Sequence, residues 1–216
     1  TIFTLEVQNN GEYTYTQFAG IDHPDPNDGD DVIWLKFGVE IVDYDGDTAP
    51  ATITVDVHDA MPTAPNNSVF PVAEHGLENG PVVVTKNFNG GDFGGDGEGQ
   101  YEFDGTFMLL GNSSTAGDEL TSNGEQVDVV FNGNVATGQL ADGTVIFTME
   151  LDPATGQHTF TLYESLDHGK TDKSGAQDVV WAKFGVNIVD ADGDSKPAMI
   201  QVDIRDDAPD AVDDTD

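Results

Sequence analysis

Two short stretches of the chain carry aspartate at every second position. One is Asp43-Tyr44-Asp45-Gly46-Asp47 and the other is Asp190-Ala191-Asp192-Gly193-Asp194. Each would place carboxylates at the first, third and fifth positions of a tight turn, with a glycine that permits the bend. Hard oxygen ligands gathered this closely suit calcium, which takes about six to eight oxygens in proteins. We therefore predict a calcium site at each turn; the alternative is an acidic turn that is simply solvated.

The turns do not follow the EF-hand pattern. Their glycine stands at position four, and Thr54 or Gln201 occupies position twelve, where an EF-hand has a bidentate glutamate. Further ligands must come from elsewhere, and the best candidates are Asp59 and the pair Asp206 and Asp207, which end the strands that leave the two turns. A strand of about ten residues separates each turn from these terminal acids. We therefore expect the terminal acids to serve a separate, inter-domain calcium site.

Both turns lie inside a longer internal repeat. Residues 32–47 read VIWLKFGVEIVDYDGD, and residues 179–194 read VVWAKFGVNIVDADGD. The similarity covers about 60 residues in each copy, with a period of about 145 residues. Matching residues include the pairs Phe3 and Phe147, Asp22-His23 and Asp167-His168, Trp34 and Trp181, and Asp43 and Asp190.

The repeat divides the chain into unequal parts. We interpret residues 1–62 as the C-terminal half of a first copy. We expect residues 63–216 to be a second, more complete copy that ends in a linker to a next module. Four strands with one apolar face are not stable alone, so residues 1–62 must pack on something. Either the segment 63–143 serves both copies, or the front half of the first copy lies elsewhere in a longer chain.

The elements that carry the turns are predicted to be strands. Between residues 32 and 42, apolar residues on one face alternate with residues on the other; this apolar stripe consists of Ile33, Leu35, Phe37, Val39 and Ile41. No useful helical periodicity occurs anywhere in the chain. Turn formers separate the apolar runs. We predict an all-β fold, an antiparallel β-sandwich of immunoglobulin-like type with two related lobes. The clearest predicted strands are 1–7, 12–18, 32–42, 81–86, 101–110 and 127–131.

The composition restricts the partners. Seven Lys and Arg residues oppose 41 Asp and Glu residues, which gives a net charge of −34. This charge repels nucleic acids and anionic membranes, so we expect neither as a partner. It also opposes compaction unless divalent cations neutralise it. The chain has no cysteine, which excludes disulfides and thiolate metal sites.

Other polar and aromatic residues allow weaker hypotheses. The pairs Asp22-His23 and Asp167-His168 could be acid–base pairs, but no nucleophile motif accompanies them, and we interpret them as hydrogen bonds that organise loops. Trp34 and Trp181 face outward and are either sugar-stacking platforms or packing residues. The Gly- and Asp-rich stretch 89–98 is either a flexible loop or a set of calcium ligands. We predict no catalytic residue and no enzymatic activity.

The sequence resembles a known family. The motifs that carry the resemblance are, in chain order, Phe-Thr-Leu, then Tyr-Thr-Tyr-Thr or His-Thr-Phe-Thr-Leu, then Leu-Asp-His, Phe-Gly-Val-x-Ile-Val-Asp-x-Asp-Gly-Asp and Asp-Asp-Ala-Pro. Together they resemble the long repeat domain of type I-secreted giant RTX adhesins. The resemblance covers residues 1–62 and about 120–216. It implies display outside the cell on a Gram-negative bacterial surface, calcium-dependent folding, and a role in adhesion or biofilm formation. The calcium ligands of the family fall on Asp43, Asp45, Asp47, Asp190, Asp192 and Asp194.

The resemblance also implies partners. In some of these adhesins the domain is split by an inserted sugar-binding domain of the PA14 type, and residues 1–62 resemble one piece of such a split domain. We expect a monomer whose partners are neighbouring domains of the same adhesin. The predicted function is a non-catalytic, calcium-stiffened scaffold that positions a ligand-binding domain. The alternative is a carbohydrate-binding module that uses surface Trp and Tyr residues.

Overall fold

The computed structural model describes residues 1–25, 31–111, 119–168 and 178–207. Their regular structure is almost entirely β, as predicted, with one short 3-10 helix, η1, at Glu74–Asn79. No helix in these ranges is long and apolar enough to cross a membrane. The chain forms two compact units. Unit 1 comprises Thr1–Thr63, Phe93–Gly99 and Val189–Ser195, and unit 2 comprises Ala64–Asp92, Gln100–Ile188 and the chain from Lys196 onward.

Unit 1 contains two antiparallel hairpins. Strand β1 (Phe3–Val7) pairs with β2 (Tyr13–Gln17) across the predicted Asn-Gly turn, where Gly11 has a φ of 86°. Strand β3 (Val32–Val42) pairs with β4 (Thr48–His58), from Val32 opposite His58 to Val42 opposite Thr48. This register leaves the turn 43–47 at one end of the hairpin and Asp59 at the other, as expected.

The core of unit 1 is small. Phe3 of β1 packs edge-on against Phe37 of β3, with ring centroids 5.9 Å apart, and this contact joins the two hairpins. Ile53 and Val57 of β4 are buried. The predicted apolar stripe of β3 is only half-buried, and its last member, Ile41, is 68% exposed.

Unit 2 contains two larger sheets. The first has five strands, in the order β10-β11-β12-β13-β6, and the second has four, in the order β5-β15-β14-β7. A separate short hairpin is formed by β8 (Thr121–Ser122) and β9 (Glu125–Gln126). The other strands are β5 (Ser68–Ala73), β6 (Val82–Asn87), β7 (Gln100–Gly111), β10 (Asp128–Asn132), β11 (Val135–Gln139), β12 (Val145–Leu151), β13 (Gln157–Leu162), β14 (Val179–Val189) and β15 (Ser195–Arg205).

The two large sheets enclose a common core, which confirms the predicted sandwich. Phe147 of the five-stranded sheet is fully buried and lies edge-on to Phe184 of the four-stranded sheet, with centroids 6.2 Å apart. One pairing departs from the antiparallel prediction, because β5 runs parallel to β15. The stretch that precedes β5 is rich in Pro and Asn and hid this strand from sequence analysis. The immunoglobulin-like type of the sandwich stays a prediction.

Strands β1–β4 and β12–β15 have the same arrangement. Phe3 lies opposite Gln17, and Phe147, its match in the second copy, lies opposite Leu162. The edge-on contact between Phe3 and Phe37 therefore recurs as the contact between Phe147 and Phe184. In unit 2 the strands of segment 64–139 complete the sheets, with β11, β6, β7 and β5 paired to β12, β13, β14 and β15.

Candidate metal centre

The two aspartate turns have the same internal hydrogen bonds. In the second turn, Oδ1 of Asp190 accepts the N–H of Gly193 at 3.1 Å and that of Asp194 at 2.8 Å. In the first turn, Oδ1 of Asp43 accepts the N–H groups of Gly46 and Asp47 at 3.0 and 2.9 Å. Each turn therefore uses one oxygen of its first aspartate for folding and leaves the remaining carboxylate oxygens for other partners.

The second turn lies within a larger group of acids in unit 1. Ligand atoms of Asp190, Asp192 and Asp194 lie within 4.8 Å of one another. Asp192 also belongs to a second such group, with His23, Asp59 and Asp96. Because the two groups share Asp192, they form one continuous centre, which we call the aspartate centre: His23, Asp59, Asp96, Asp190, Asp192 and Asp194.

The aspartate centre is buried, and many of its oxygen atoms have no hydrogen-bond partner. Asp190 is 4% exposed and Asp194 is 1% exposed, while the side chain of Asp59 is inaccessible. A buried carboxylate without partners is costly because it loses its hydration. The buried oxygens without a hydrogen bond are Oδ2 of Asp59, Oδ2 of Asp96, Oδ2 of Asp190, Oδ1 of Asp192, and both Oδ1 and Oδ2 of Asp194.

Burial and the crowding of carboxyl groups raise the pKa of several aspartates in the centre. Burial, followed by the neighbouring carboxyl of Asp59, raises the pKa of Asp194 to about 7. Burial, followed by the adjacent Asp192, raises the pKa of Asp190 to about 6. Burial and the charges of Asp192 and Asp59 also raise the pKa of Asp96. Without a cation, these three carboxyls hold their protons to a higher pH than an exposed aspartate does, because burial and the neighbouring carboxylates disfavour the ionised form.

His23 presents one ring nitrogen to the acids. Its Nε2 lies 3.2 Å from the carbonyl oxygen of Val57, and its Nδ1 lies 3.5 Å from Oδ1 of Asp59 and has no hydrogen bond. Burial alone would lower the pKa of His23, but the Val57 carbonyl and the charge of Asp59 raise it above its ordinary value. A neutral His23 that donates from Nε2 would direct the Nδ1 lone pair toward the acids, as metal-binding histidines do.

Close backbone contacts position Asp96. Gly94 has a φ of 83°, and a Cβ atom there would collide with the carbonyl oxygen of Ala60. A Cβ at Gly99 would collide with the carbonyl oxygen of Val189, and one at Gly20 would lie 2.7 Å from the Cα of Asp96. The glycines of the stretch 93–99 therefore let this loop approach its neighbours closely enough to bring Asp96 to the aspartate centre.

The first turn has no such additional acids. Asp43, Asp45 and Asp47 also have ligand atoms within 4.8 Å of one another, but all three are exposed, and no further His, Asp or Glu joins them among the described residues. A side-chain hydrogen bond with Asp45 lowers the pKa of Asp43. The first turn can supply only part of a calcium coordination shell by itself.

The terminal acids take different positions. Asp59, which ends the first copy, joins the aspartate centre and so lies beside the turn of the second copy. Asp206, which ends the second copy, groups with Glu74 and His168 in unit 2. Asp207 is exposed and belongs to no metal-type group among the described residues. The tail 208–216, predicted to link to a next module, lies outside the described residues.

Several members of these groups go beyond the predicted ligands. The two Asp-His pairs are interpreted from the sequence as organisers of loops, so His23 and His168 are not predicted as ligands. Asp96 lies in the stretch 89–98, for which a set of calcium ligands is one of the two predicted alternatives. The available signal was the repetition of a histidine at the same place in both copies. Glu74 had no signal, because it follows the unpredicted strand β5. Trp34 is 63% exposed and Trp181 is half-buried, and the sugar-binding alternative stays a prediction.

Comparisons with known proteins give a family but no activity. The model of the family described as "Domain of unknown function (DUF5801)" matches residues 1–57 and 63–204. The break between the matched segments falls near residue 62, where the internal repeat divides the chain. No curated protein and no solved structure matches the chain.

Proposed function

The chain belongs to the DUF5801 family, whose description names no function, and we propose from its buried acids that it is a calcium-binding structural module. In this proposal the aspartate centre binds calcium and the metal stabilises the fold. The module performs no chemistry on a substrate. Its role is mechanical: it holds neighbouring parts of a longer extracellular chain in a fixed arrangement.

The observation that supports the proposal is the set of buried carboxylate oxygens without partners. Five carboxylates, from Asp59, Asp96, Asp190, Asp192 and Asp194, converge within unit 1. Coulomb repulsion among buried like charges a few ångströms apart amounts to several kcal/mol per pair at an effective dielectric constant of about 20. A divalent cation would convert this repulsion into attraction and would occupy the oxygens that lack hydrogen bonds.

The type of ligand favours calcium over softer metals. The centre offers carboxylate oxygens and at most one imidazole nitrogen, and no cysteine exists in the chain. Calcium binds about six to eight oxygens at flexible distances, whereas magnesium demands an octahedral shell and retains water. Five carboxylates carry ten oxygens, of which three (Oδ1 of Asp59, Oδ1 of Asp190 and Oδ2 of Asp192) accept backbone N–H groups. The remainder suffices for at least one calcium ion.

The wider role follows from the resemblance to RTX adhesins and from energetics. Calcium at a hundredfold excess over its dissociation constant stabilises a folded protein by about 2.7 kcal/mol per site. This is a large share of a typical folding free energy of about 5–15 kcal/mol. We propose that the module folds tightly where calcium is abundant, outside the cell, and acts there as a stiff scaffold in bacterial adhesion.

The test is thermal unfolding of the whole chain in calcium and in EDTA, for the wild type and two matched variants. Asp192→Asn alters the buried turn, and Asp45→Asn alters the equivalent position of the exposed turn. In calcium, we expect Asp192→Asn to lower the free energy of unfolding by about 2–3 kcal/mol, because the site is lost. Asp45→Asn should change it by no more than about 0.5 kcal/mol, as exposed substitutions usually do.

In EDTA the order of stability of the wild type and Asp192→Asn should reverse. Asp192→Asn removes one of the mutually repelling carboxylates, so this variant should then be at least as stable as the wild type. Magnesium in place of calcium should restore less stability, since it fits a flexible oxygen cage less well. Equal melting temperatures of the wild type with calcium and with EDTA would refute the proposal.

A further inference from the structure

A second group of buried ionisable side chains belongs to unit 2. It consists of Glu74, His168 and Asp206, each of which offers a ligand atom within 4.8 Å of the others. We propose that these three side chains form a site for a divalent transition-metal ion of the zinc type. The proposal does not depend on calcium binding at the aspartate centre.

The parallel pairing of β5 with β15 brings the two acids together. Ala73, the last residue of β5, lies opposite Arg205, the last residue of β15. Because parallel strands leave a sheet at the same edge, Glu74 and Asp206 follow them at the same end. The backbone N–H of Asp206 also donates to the carbonyl oxygen of Asp178 at 2.9 Å, which fixes the chain where it leaves β15.

The loop that carries His168 is held by its own hydrogen bonds. The backbone N–H of Leu166 donates to Oε1 of Glu74 at 2.8 Å, and the N–H of Asp167 donates to the carbonyl of Thr121 at 2.8 Å. The carboxylate of Asp167 accepts the N–H of Gly124 at 2.7 Å. His168 is therefore placed by three contacts that do not use its ring, and the ring nitrogens are left for another partner.

The imidazole of His168 is buried without hydrogen bonds. Its side chain is 3% exposed and that of Glu74 is 2% exposed. The Nε2 atom lies 3.3 Å from Oε1 of Glu74, close enough for an ionic contact, but neither ring nitrogen has the geometry of a hydrogen bond. A buried polar ring without partners is costly, so the arrangement indicates a ligand that is bound by the ring.

The donor types and spacing fit zinc better than calcium. Zinc binds imidazole nitrogen and carboxylate oxygen at about 2.0–2.2 Å, usually with tetrahedral geometry. Two ligands on such an ion lie roughly 3.3–3.5 Å apart by simple trigonometry from those lengths. The separation of 3.3 Å between His168 and Glu74 matches this value. Calcium, by contrast, prefers a coordination shell made of oxygen alone. On a tetrahedral zinc ion, three protein ligands leave the fourth position for a solvent molecule.

The internal repeat supports a common origin of the two groups. His168 and Asp206 match His23 and Asp59, at offsets of 145 and 147 residues. In the first copy this pair is joined by Asp96 and Asp192, and in the second copy it is joined by Glu74. The second group thus has fewer carboxylates for each imidazole, and that composition shifts its preference from calcium toward borderline transition metals.

The rival interpretation is a metal-free ion triad. Burial alone would lower the pKa of His168, but contact with Glu74 and the charges of Asp206 and Asp178 raise it above its ordinary value. A protonated ring between carboxylates would then need no metal. The two interpretations differ in whether the wild-type protein binds zinc when calcium already fills its oxygen sites.

Calorimetric titration of the whole chain with zinc, in millimolar calcium, distinguishes them. We expect the wild type to bind one zinc ion that His168→Gln binds at least about tenfold more weakly. His75→Gln is the matched control, because His75 lies in the same 3-10 helix as Glu74 but its side chain is 75% exposed. His23→Gln is a second control, which changes the histidine of the aspartate centre. His75→Gln and His23→Gln should both bind zinc as the wild type does.

Absence of zinc binding by the wild type overturns the proposal, as does unchanged binding by His168→Gln. If His168→Gln fails to fold, nitrogen NMR of the histidine rings of the wild type distinguishes the zinc site from the ion triad. Zinc should then shift or broaden the His168 resonances and leave those of His75 unchanged. An unshifted, protonated His168 ring would establish the ion triad instead. Cobalt in place of zinc should give the visible absorption of a coordinated ion in the wild type and in His75→Gln.

Discussion

The turns 43–47 and 190–194 share their sequence pattern and their internal hydrogen bonds, yet they differ in everything around them. In the first turn the three aspartates are exposed. In the second, Asp190 and Asp194 are buried, and Asp59 and Asp96 converge on Asp192. The comparison shows that the short motif fixes the shape of a turn and the direction of a few oxygens. A buried, highly charged centre requires acids from distant parts of the chain as well.

The hairpins that carry the turns differ in the same way. Strand β14 alternates between buried and half-buried residues along its whole length, whereas the matching strand β3 has no fully buried residue. In unit 2 the flanking strands β5 and β7 extend the β14–β15 pair into a four-stranded sheet. Within the part of the chain that the structure describes, β3 and β4 form a sheet of two strands only. Burial of an apolar stripe therefore depends on the flanking strands, and the stripe alone does not produce it.

The largest predicted effect concerns this apolar stripe. Ile188 is fully buried, and its match in β3, Ile41, is 68% exposed. Ile188→Ala should lower the free energy of unfolding by about 2–5 kcal/mol, because it leaves a cavity in a closed core. Ile41→Ala should lower it by no more than about 0.5 kcal/mol. Urea unfolding of both variants in calcium measures the difference, and similar losses would show that the stripe of β3 is covered in solution.

A smaller effect is expected from the acids that distinguish the two turns. Asp59→Asn retains the shape of the side chain but removes a charge from the aspartate centre. We expect calcium affinity to fall about tenfold, equivalent to about 1.4 kcal/mol. Asp56→Asn is the control, since Asp56 lies on β4 just before Asp59, loses the same charge and is exposed. Calorimetry with calcium gives both affinities; equal losses in the two variants would mean that net charge, and not ligation, sets the affinity.

Much of the fold could be predicted from the sequence, because alternation and turn residues act over a few positions. Strand β3 has the bounds that its alternation predicted, 32–42, and β7 at Gln100–Gly111 lies within one residue of its predicted bounds at both ends. Strand β5 was missed for two reasons: the Pro- and Asn-rich stretch before it and its own proline are typical of a loop, and its parallel partner is far away in the chain. Its absence from the prediction also concealed Glu74.

The candidate site was only partly predictable, for a related physical reason. The aspartates of the turns were found because they are close in sequence. Asp96 was left open between a flexible loop and a calcium ligand, because its position depends on glycines at 94 and 99 that allow close backbone contacts. The period of the repeat could have indicated His23 and His168 together, since each precedes a matching strand. It could not show that the terminal acid of one copy meets the turn of the other.

The smallest predicted effect concerns a histidine present in only one copy. Tyr13 of β2 is 52% exposed, whereas His158, its match in β13, is fully buried. Burial lowers the pKa of His158, whose ring contacts the carbonyl of Gly156 at 2.9 Å and the hydroxyl of Ser68 at 2.8 Å.

The unfolded chain therefore binds a proton below a pH of about 6.5, while the folded protein remains neutral at this site until the pH is lower. The contribution of His158 to stability should therefore fall as the pH drops through this window, by up to about 1.4 kcal/mol per pH unit. His158→Gln should remove that slope, measured by urea unfolding in calcium at several pH values, whereas Tyr13→Gln should leave it intact. An unchanged slope in His158→Gln would assign the acid sensitivity to the carboxylates and would remove this distinction between the two copies.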